Sequence, residues 1–298
     1  MKKKVRYVAI CVITVIVVGI YIGFHHIAPY AMIQPPRVSV SETPNDFNLV
    51  SESFAVKVDD SLNLSAYWIK TDKISPKGVV ILVHGIGGCK EHFLSTSALL
   101  AKNGIESILV DLRAHGKSDG IYTTYGFKEK KDIFKLVNVV KEKSPNLSIG
   151  IWGNSLGGAI AIQALEYDER INFGVIESTF ADLSQIVYDY KKRYLKGFGI
   201  RFLSDYALDR AGKIGDFNPE SVRPLQSVKH IGQPVLIAHG NADQSIGFKY
   251  GKALYANLKT TEKEFIEVEN GGHYNLYEMG GEAYKNRILD FILKNVDR

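Results

Sequence analysis

The sequence of 298 residues has few cysteines and no pattern of metal ligands. Its two cysteines, Cys11 and Cys89, cannot build a framework of disulfides, and Cys11 lies in an apolar stretch where it behaves as a small hydrophobic side chain. No cysteine and histidine residues have the spacing of a zinc site. We therefore expect neither a disulfide-stabilised scaffold nor a metal or other cofactor.

A strong excess of one charge is also missing from most of the chain. The formal net charge is +5, and four of these charges come from Lys2, Lys3, Lys4 and Arg6. The rest of the chain is close to neutral, which argues against a nucleic-acid partner. Internal repeats and low-complexity tracts are absent. A composition of 45% hydrophobic and 23% charged residues is typical of a globular protein with room for one large domain or two small ones.

A long apolar run follows the basic N-terminus. Residues 7–24 contain no charge and can cross most of a bilayer at about 1.5 Å per residue. A buried core helix is seldom apolar on all sides. A cleavable signal peptide is the main alternative, but its apolar core is usually shorter, and no small-x-small motif follows this run. We predict that residues 1–24 form an uncleaved anchor with one transmembrane helix.

The flanks of this run predict its orientation. Four basic residues precede it and only Arg37 follows it closely, so the N-terminus should stay in the cytoplasm and the bulk of the chain should be extracytoplasmic. Residues 25–48 should form a stiff, extended tether because they contain four prolines: Pro29, Pro35, Pro36 and Pro44. A globular domain is predicted over residues 49–298.

Within residues 49–298, a hairpin is followed by alternating strands and helices. Strands are predicted over residues 53–58, 62–69, 78–84, 105–110, 147–153, 171–176, 234–238 and 263–268, and helices over 91–103, 127–143, 248–258 and 284–296. This alternation predicts an α/β fold with a mostly parallel sheet and helices on both faces. Active sites in such sheets lie at the carboxyl ends of the strands.

The pentapeptide Gly153-Asn154-Ser155-Leu156-Gly157 has the pattern G-x-S-x-G between a predicted strand and residues at helical spacing. Such a sequence turns a strand sharply into a helix with the serine at the apex. We expect glycine at both ends because a Cβ there would collide with the neighbouring strand or helix. Ser155 is the predicted nucleophile. Since the chain has 27 glycines, an incidental serine in a glycine-rich turn is the alternative.

A serine nucleophile needs a base that is oriented by a carboxylate. In this kind of fold the acid and then the histidine follow the serine along the chain, and of the eight histidines His273 fits that order. It lies in a glycine-containing loop after the last predicted strand. Asp243, in the loop that leaves the preceding strand, is the predicted acid. Glu177, at the end of another strand, is the competing candidate.

Two backbone amides are predicted to stabilise an oxyanion. One is the amide of Leu156, and the other comes from the loop His84-Gly85-Ile86-Gly87-Gly88 after the strand over residues 78–84. Ile86 is the predicted donor of this loop, with Gly87 the next choice. His84 is expected to order the loop by hydrogen bonding rather than to react.

With these motifs in order, the chain from about residue 78 onward resembles the α/β-hydrolase superfamily, in particular its monoacylglycerol-lipase-like and serine-aminopeptidase-like branch. The motifs that match are His84-Gly85, residues 111–118 (DLRAHGKS), G-x-S-x-G, residues 239–243 (HGNAD) and Gly272-His273. The resemblance implies that Ser155, Asp243 and His273 form a catalytic triad. It also implies an eight-stranded sheet whose second strand is antiparallel, and a supporting role for residues 111–118.

Such enzymes carry a cap in the interval between Glu177 and Pro234, and we predict a short helical cap at about residues 180–230. Apolar and aromatic residues recur there at helical spacing beside basic ones: Leu183, Ile186, Val187, Tyr190 and Tyr194 beside Lys191, Lys192, Arg193, Lys196 and Arg201. Two interpretations remain open. The basic face is either solvated, or it meets an anionic lipid or an acidic head group.

The expected function is hydrolysis of an ester, thioester or amide through an acyl-enzyme on Ser155. A carboxylesterase or lipase acting on a small acyl ester or lipid-like substrate is favoured over a serine peptidase, because nothing in the sequence suggests an anionic site for a free amino terminus. A membrane-anchored binding protein without turnover is the alternative from another class.

Overall fold

The computed structural model describes residues 2–194 and 200–296, without the side chains of residue 2 and of residues 191–194. The cap residues Lys191, Lys192, Arg193 and Lys196 therefore lie outside the described side chains. Helix α1 (Lys2–Ile22) begins the described chain, and its residues 3–22 are all exposed. The helical stretch Lys3–Ile33 is long and apolar enough to cross a membrane. A signal sequence can have the same length and composition.

The helix continues past the predicted anchor. A π-helical turn (Gly23–Ile27) leads into α2 (Ala28–Ile33), so the prediction of an extended tether is wrong for residues 25–33. Pro29 occupies the start of α2, where a proline needs no amide hydrogen bond. The side chain of Ile33 is fully buried in the core of the following domain. Packing against the domain therefore keeps this segment helical, although the prolines in it and after it favour an extended chain.

Eight strands form one sheet: β1 (Ser51–Asp59), β2 (Leu62–Ile69), β3 (Gly78–Val83), β4 (Ile105–Val110), β5 (Ser148–Asn154), β6 (Phe173–Glu177), β7 (Val235–Gly240) and β8 (Lys263–Val268). Their order is β1-β2-β4-β3-β5-β6-β7-β8. Strand β2 pairs antiparallel with β1 and β4, and all other pairs are parallel. The predicted mostly parallel sheet with an antiparallel second strand is confirmed.

Helices cover both faces of the sheet. They are α3 (Leu94–Lys102), α4 (Glu129–Lys143), α5 (Leu156–Tyr167), α6 (Leu183–Tyr194), α7 (Arg201–Gly215), α8 (Pro224–Ser227), α9 (Lys249–Asn257) and α10 (Leu276–Val296). One apolar core joins the sheet to α4, α5 and α9, and a second joins it to α3 and α10. Helices α6, α7 and α8 occupy the interval between β6 and β7, where the cap was predicted.

The element α10 consists of two helices. The first begins at Leu276, before the helix predicted over residues 284–296, and Gly281, whose backbone is not helical (φ 57°, ψ −153°), separates it from the helix that continues to Val296. Gly281 can adopt this conformation because it has no Cβ. The residues that follow this break pack into the second core, as the apolar spacing over residues 284–296 indicated.

Candidate active site

Ser155 occupies the sharp turn between β5 and α5. Its backbone has φ 53° and ψ −118°, a sparsely populated conformation for a residue with a Cβ. A Cβ on Gly153 would lie 2.1 Å from the carbonyl oxygen of Gly157, and a Cβ on Gly157 would lie 2.0 Å from that of Val83. Both positions therefore require glycine, for the steric reason expected from the sequence. The turn presents the serine side chain at the carboxyl end of β5.

Three side chains from loops at the carboxyl ends of β5, β7 and β8 meet at this turn. His273 Nε2 lies 3.0 Å from Ser155 Oγ, and His273 Nδ1 lies 2.8 Å from Asp243 Oδ2. The side chain of His273 is 4% exposed and that of Asp243 is buried. The structure thus brings together the three residues predicted from the sequence in one hydrogen-bonded chain, although they are far apart in sequence.

Asp243 is held as a carboxylate by its surroundings. Burial by itself raises the pKa of Asp243, but hydrogen bonds with His239 and His273, the charge of His273 and the amide of Ile246 outweigh burial and hold this pKa well below its usual range. Its Oδ1 accepts from the amides of Ser245 (2.7 Å) and Ile246 (2.8 Å). Its Oδ2 is thereby turned toward His273. A carboxylate in this position fixes the imidazole with the proton on Nδ1, and Nε2 then faces the serine as an acceptor.

The carboxylate of the competing acid, Glu177, binds Trp152 and Tyr284, whereas His273 Nδ1 is bound to Asp243. Glu177 Oε2 accepts a hydrogen bond from Trp152 Nε1 at 2.7 Å, and its Oε1 accepts one from the hydroxyl of Tyr284. Burial raises the pKa of Glu177, and these two hydrogen bonds oppose the rise. Glu177 therefore joins β5, β6 and α10 beneath the site. Its backbone oxygen also accepts from the amide of Ser155 at 2.9 Å, which helps to hold the turn.

His84 orders the loop after β3. Its Nδ1 donates to the carbonyl of Gly85 at 2.8 Å, and its Nε2 accepts from the amide of Leu112 at 3.1 Å. Burial and the neighbouring His115 lower the pKa of His84 to about 3, so the ring is neutral at physiological pH. The hydrogen bonds are those of a residue that positions a loop, as the sequence suggested.

The predicted oxyanion donors border the same space as the serine. Leu156 begins α5, and the first amides of a helix have no acceptor within the helix. Ile86 follows β3, and its side chain is half exposed. Both residues, with Ser155, line one cavity. The N-terminus of α5 and the glycine-rich loop therefore both border the cavity at the serine.

A buried ion pair fixes the far end of this loop. Lys90 Nζ lies 2.6 Å from Asp111 Oδ2, and both side chains are almost fully buried. The amide of Lys90 donates to Asp111 Oδ1 at 2.7 Å, and that of Lys117 donates to Oδ2 at 2.9 Å. The sequence motif over residues 111–118 thus supports the loop, whereas the role of Lys90 was missed. A lone lysine after a glycine loop resembles any surface lysine in sequence.

Two cavities meet at Ser155. The larger, about 680 Å³, is walled mainly by apolar side chains from α6 and from the helical stretch before residue 34, including Leu183, Ile186, Val187, Ala28 and Met32. The smaller, about 340 Å³, is bordered by the glycine loop, His273 and Tyr274. Both volumes are within or near the range of small-molecule sites. Two groups of one substrate can therefore bind next to the serine, with an apolar group in the larger cavity.

Sequence reasoning missed one part of this site. Four residues of the larger cavity belong to the segment assigned to the anchor and tether: Phe24, Ala28, Ala31 and Met32. Only their spacing, which places them on one face of a helix, was visible in the sequence. Within the described residues, no group of three or more histidine, cysteine, aspartate or glutamate side chains could hold a metal ion.

The chain is similar to a family of serine aminopeptidases, to other proteins in sequence and to a solved esterase in structure. The family model for serine aminopeptidase, S33, matches residues 74–202. The chain is 26% identical to the protein YqkD of Bacillus subtilis (strain 168), over 98% of this chain and 97% of that protein. It is 23% identical to the alpha/beta hydrolase domain-containing protein WAV2 of Arabidopsis thaliana, over 93% and 90% of the two chains. Its structure is similar to that of an esterase of Pyrococcus furiosus, with a TM-score of 0.75, 26% identity, and coverage of 89% of this chain and 98% of that chain.

Proposed function

Because this chain belongs to the α/β-hydrolase superfamily, we propose that it is a serine hydrolase that cleaves an acyl ester through an acyl-enzyme on Ser155. The observation that carries the proposal is the hydrogen-bonded chain from Ser155 through His273 to Asp243. Ser155, the first of these three residues, lines an apolar cavity of about 680 Å³. Nucleophile, base and orienting acid are thus within reach of a place where an acyl group can bind.

In the proposed mechanism, Ser155 Oγ attacks the carbonyl carbon of the ester while His273 Nε2 takes its proton. Asp243 stabilises the imidazolium through Nδ1–H, and the amides of Leu156 and Ile86 stabilise the oxyanion. His273 then gives its proton to the leaving oxygen as the tetrahedral intermediate collapses to the acyl-enzyme. Water, activated by the same Nε2, attacks the acyl carbon and releases the acid and Ser155.

An ester is favoured over a peptide by the lining of the two cavities. A peptidase that recognises a free amino terminus needs an anionic group near the nucleophile. Among the described residues that line the two cavities, none is a carboxylate. Apolar side chains instead suit an acyl chain, whose binding strengthens by about 0.8 kcal/mol for each buried methylene. The esterase of Pyrococcus furiosus is a structural neighbour in keeping with this preference.

The direct test is covalent labelling of the full chain by a fluorophosphonate, which reacts with activated serines. We expect a label on Ser155 that is lost in Ser155→Ala, together with turnover of p-nitrophenyl esters. A panel of acyl chains of increasing length then ranks the substrates. Absence of both label and turnover would favour the alternative of a membrane-anchored binding protein without catalysis.

We further infer that the chain is a single-pass membrane protein whose N-terminus is cytoplasmic. The support is the apolar helix near the N-terminus and the basic residues that precede its charge-free stretch, such as Lys3, Lys4 and Arg6. Protease added to spheroplasts should then digest the catalytic domain, while the mature protein should retain residues 1–24. A soluble exported form that starts near residue 30 would instead identify a cleaved signal peptide.

A further inference from the structure

One wall of the cavity beside Ser155 comes from the continuation of the N-terminal helix. Phe24, Ala28, Ala31 and Met32 line the cavity together with residues of α6. Their spacing of four, three and one residues places them on one side of a helix. The cavity therefore lies between this helix and the cap.

The wall is attached to the domain by its backbone and by buried side chains. The hydroxyl of Tyr125 donates to the carbonyl of Met32, and the amide of Thr123 donates to the carbonyl of Ile33 at 2.8 Å. Ile33 is fully buried. About two turns earlier, His25 Nδ1 lies 2.5 Å from the hydroxyl of Tyr206 on α7. The segment that lines the cavity is thus an integral part of the domain.

The same helical stretch includes the candidate membrane span. The helical stretch Lys3–Ile33 runs from its apolar part into the cavity wall. Phe24, the first residue of the wall, follows the end of α1 by two residues, and Met32, the last, follows it by ten, which is about 15 Å at 1.5 Å per residue. The cavity therefore begins within one helical turn of the apolar helix α1. An acyl chain could pass from the membrane around α1 to the cavity along an apolar helix face.

We propose that this cavity binds the acyl chain of a membrane-resident lipid ester, which enters from the bilayer along the helix face formed by Phe24, Ala28, Ala31 and Met32. The inference rests on the proposed serine hydrolase function and adds the substrate class and its route. Because the side chains of Ala28 and Ala31 are small, the cavity has room for the acyl chain beside them. Each methylene that packs against this wall instead of water strengthens binding about fourfold.

The first experiment replaces a small residue of the cavity wall by phenylalanine, in the full chain purified in detergent, so that the larger side chain occupies part of the cavity. Ala28→Phe should lower the ratio of kcat/KM for an octanoyl ester to that for an acetyl ester by at least about tenfold, because the phenyl ring occupies the room of several methylenes. Ile27→Phe is the matched control, since Ile27 is 62% exposed on the adjacent helix position and is not among the described residues that line the cavity. Ala31→Phe provides a second variant if Ala28→Phe fails to label with fluorophosphonate. An unchanged ratio in a variant that still labels would overturn the proposal.

The second experiment tests the route. The full chain is reconstituted in phosphatidylcholine vesicles, and a fluorogenic palmitoyl ester is dissolved either in the same vesicles or in separate ones. Sharing a bilayer raises the effective concentration, so hydrolysis should be at least about tenfold faster in the shared vesicles. Equal rates would show that the substrate arrives through water and would overturn the route. Failure to label or to hydrolyse any ester would instead refute the proposed function itself.

Discussion

Replacement of Asp243 by asparagine should reverse the proton arrangement of the proposed triad. Oδ1 of this residue accepts from two backbone amides, those of Ser245 and Ile246, so an asparagine must keep its oxygen on that side. Its NH2 group then occupies the position of Oδ2, 2.8 Å from His273 Nδ1. A donor there forces Nδ1 to become the acceptor. The proton of the neutral ring moves to Nε2, which can no longer accept the proton of Ser155.

The size of the effect follows from losing both the base and the charge that stabilises the imidazolium. The wrong tautomer in a serine triad lowers kcat by about 10⁴ in a well-studied case. We expect a fall of about 10³ to 10⁴ in kcat for Asp243→Asn, which is roughly 4–5.5 kcal/mol in the activation barrier. Folding should be little affected, because the two amide hydrogen bonds to Oδ1 are retained.

Glu177→Gln is the matched control for this experiment. Glutamine can keep the hydrogen bond from Trp152 Nε1 through its oxygen and donate its NH2 to the hydroxyl of Tyr284, which can act as acceptor. Turnover of Glu177→Gln should stay within about tenfold of the wild type, a barrier change of roughly 1.4 kcal/mol. The assay is kcat for an acetyl ester, with circular dichroism of each variant. If Glu177→Gln proves the more damaging change, or if Asp243→Asn keeps near-normal turnover, the assignment of the acid is wrong.

Two further predictions concern the nucleophile pair and the loop beneath it. Ser155→Ala and His273→Ala should each lower kcat by several orders of magnitude, and the double variant should be little worse than either single one, because the two residues act as a unit; additive losses in kcat would contradict this. Lys90→Met leaves the buried carboxylate of Asp111 without its cation and should cost about 3–5 kcal/mol, seen as a fall of about 10 °C in Tm. Lys213→Met, whose ion pair with Asp209 is exposed on both sides, should cost less than about 1 kcal/mol, and equal shifts in Tm for the two lysine variants would show that burial of the pair is unimportant.

The sheet could be predicted because its strands carry local signals. All residues of β3 and β4 are buried. Strand β3 is a continuous apolar run in the sequence, and β4 is apolar except for Glu106 and Ser107. The turn at Ser155 could be predicted because the pattern G-x-S-x-G is contiguous in the sequence. The clash that a Cβ would make at Gly153 is with Gly157 in the same turn, whereas the clash at Gly157 is with Val83 on the neighbouring strand β3. Loop residues such as Asp243 and His273 could be placed by chain order, because parallel strands bring their carboxyl ends to one edge of the sheet.

The cavity wall could not be predicted in this way. Prolines favour an extended chain after the apolar run, and the helix at residues 28–33 forms because Pro29 and Ile33 are buried against the domain. That burial depends on the surface formed by residues much later in the chain. The buried Lys90 is another case, since only the completed fold brings it to Asp111. In both cases tertiary packing outweighs the local preference of the segment.

A last contact joins the wall to the support of the active site. The guanidinium of Arg37 donates to four backbone oxygens, those of His115, Gly116, Ser118 and Gly120, at 2.7–3.3 Å. The same loop contributes the amide of Lys117 to Asp111, and Asp111 in turn holds Lys90 after the glycine loop. The segment after α2 is therefore linked through hydrogen bonds to the loop that carries Ile86. A chain that begins after Arg37 would lose both the cavity wall and this link, so altered turnover in such a fragment would reflect a changed site as well as a lost anchor.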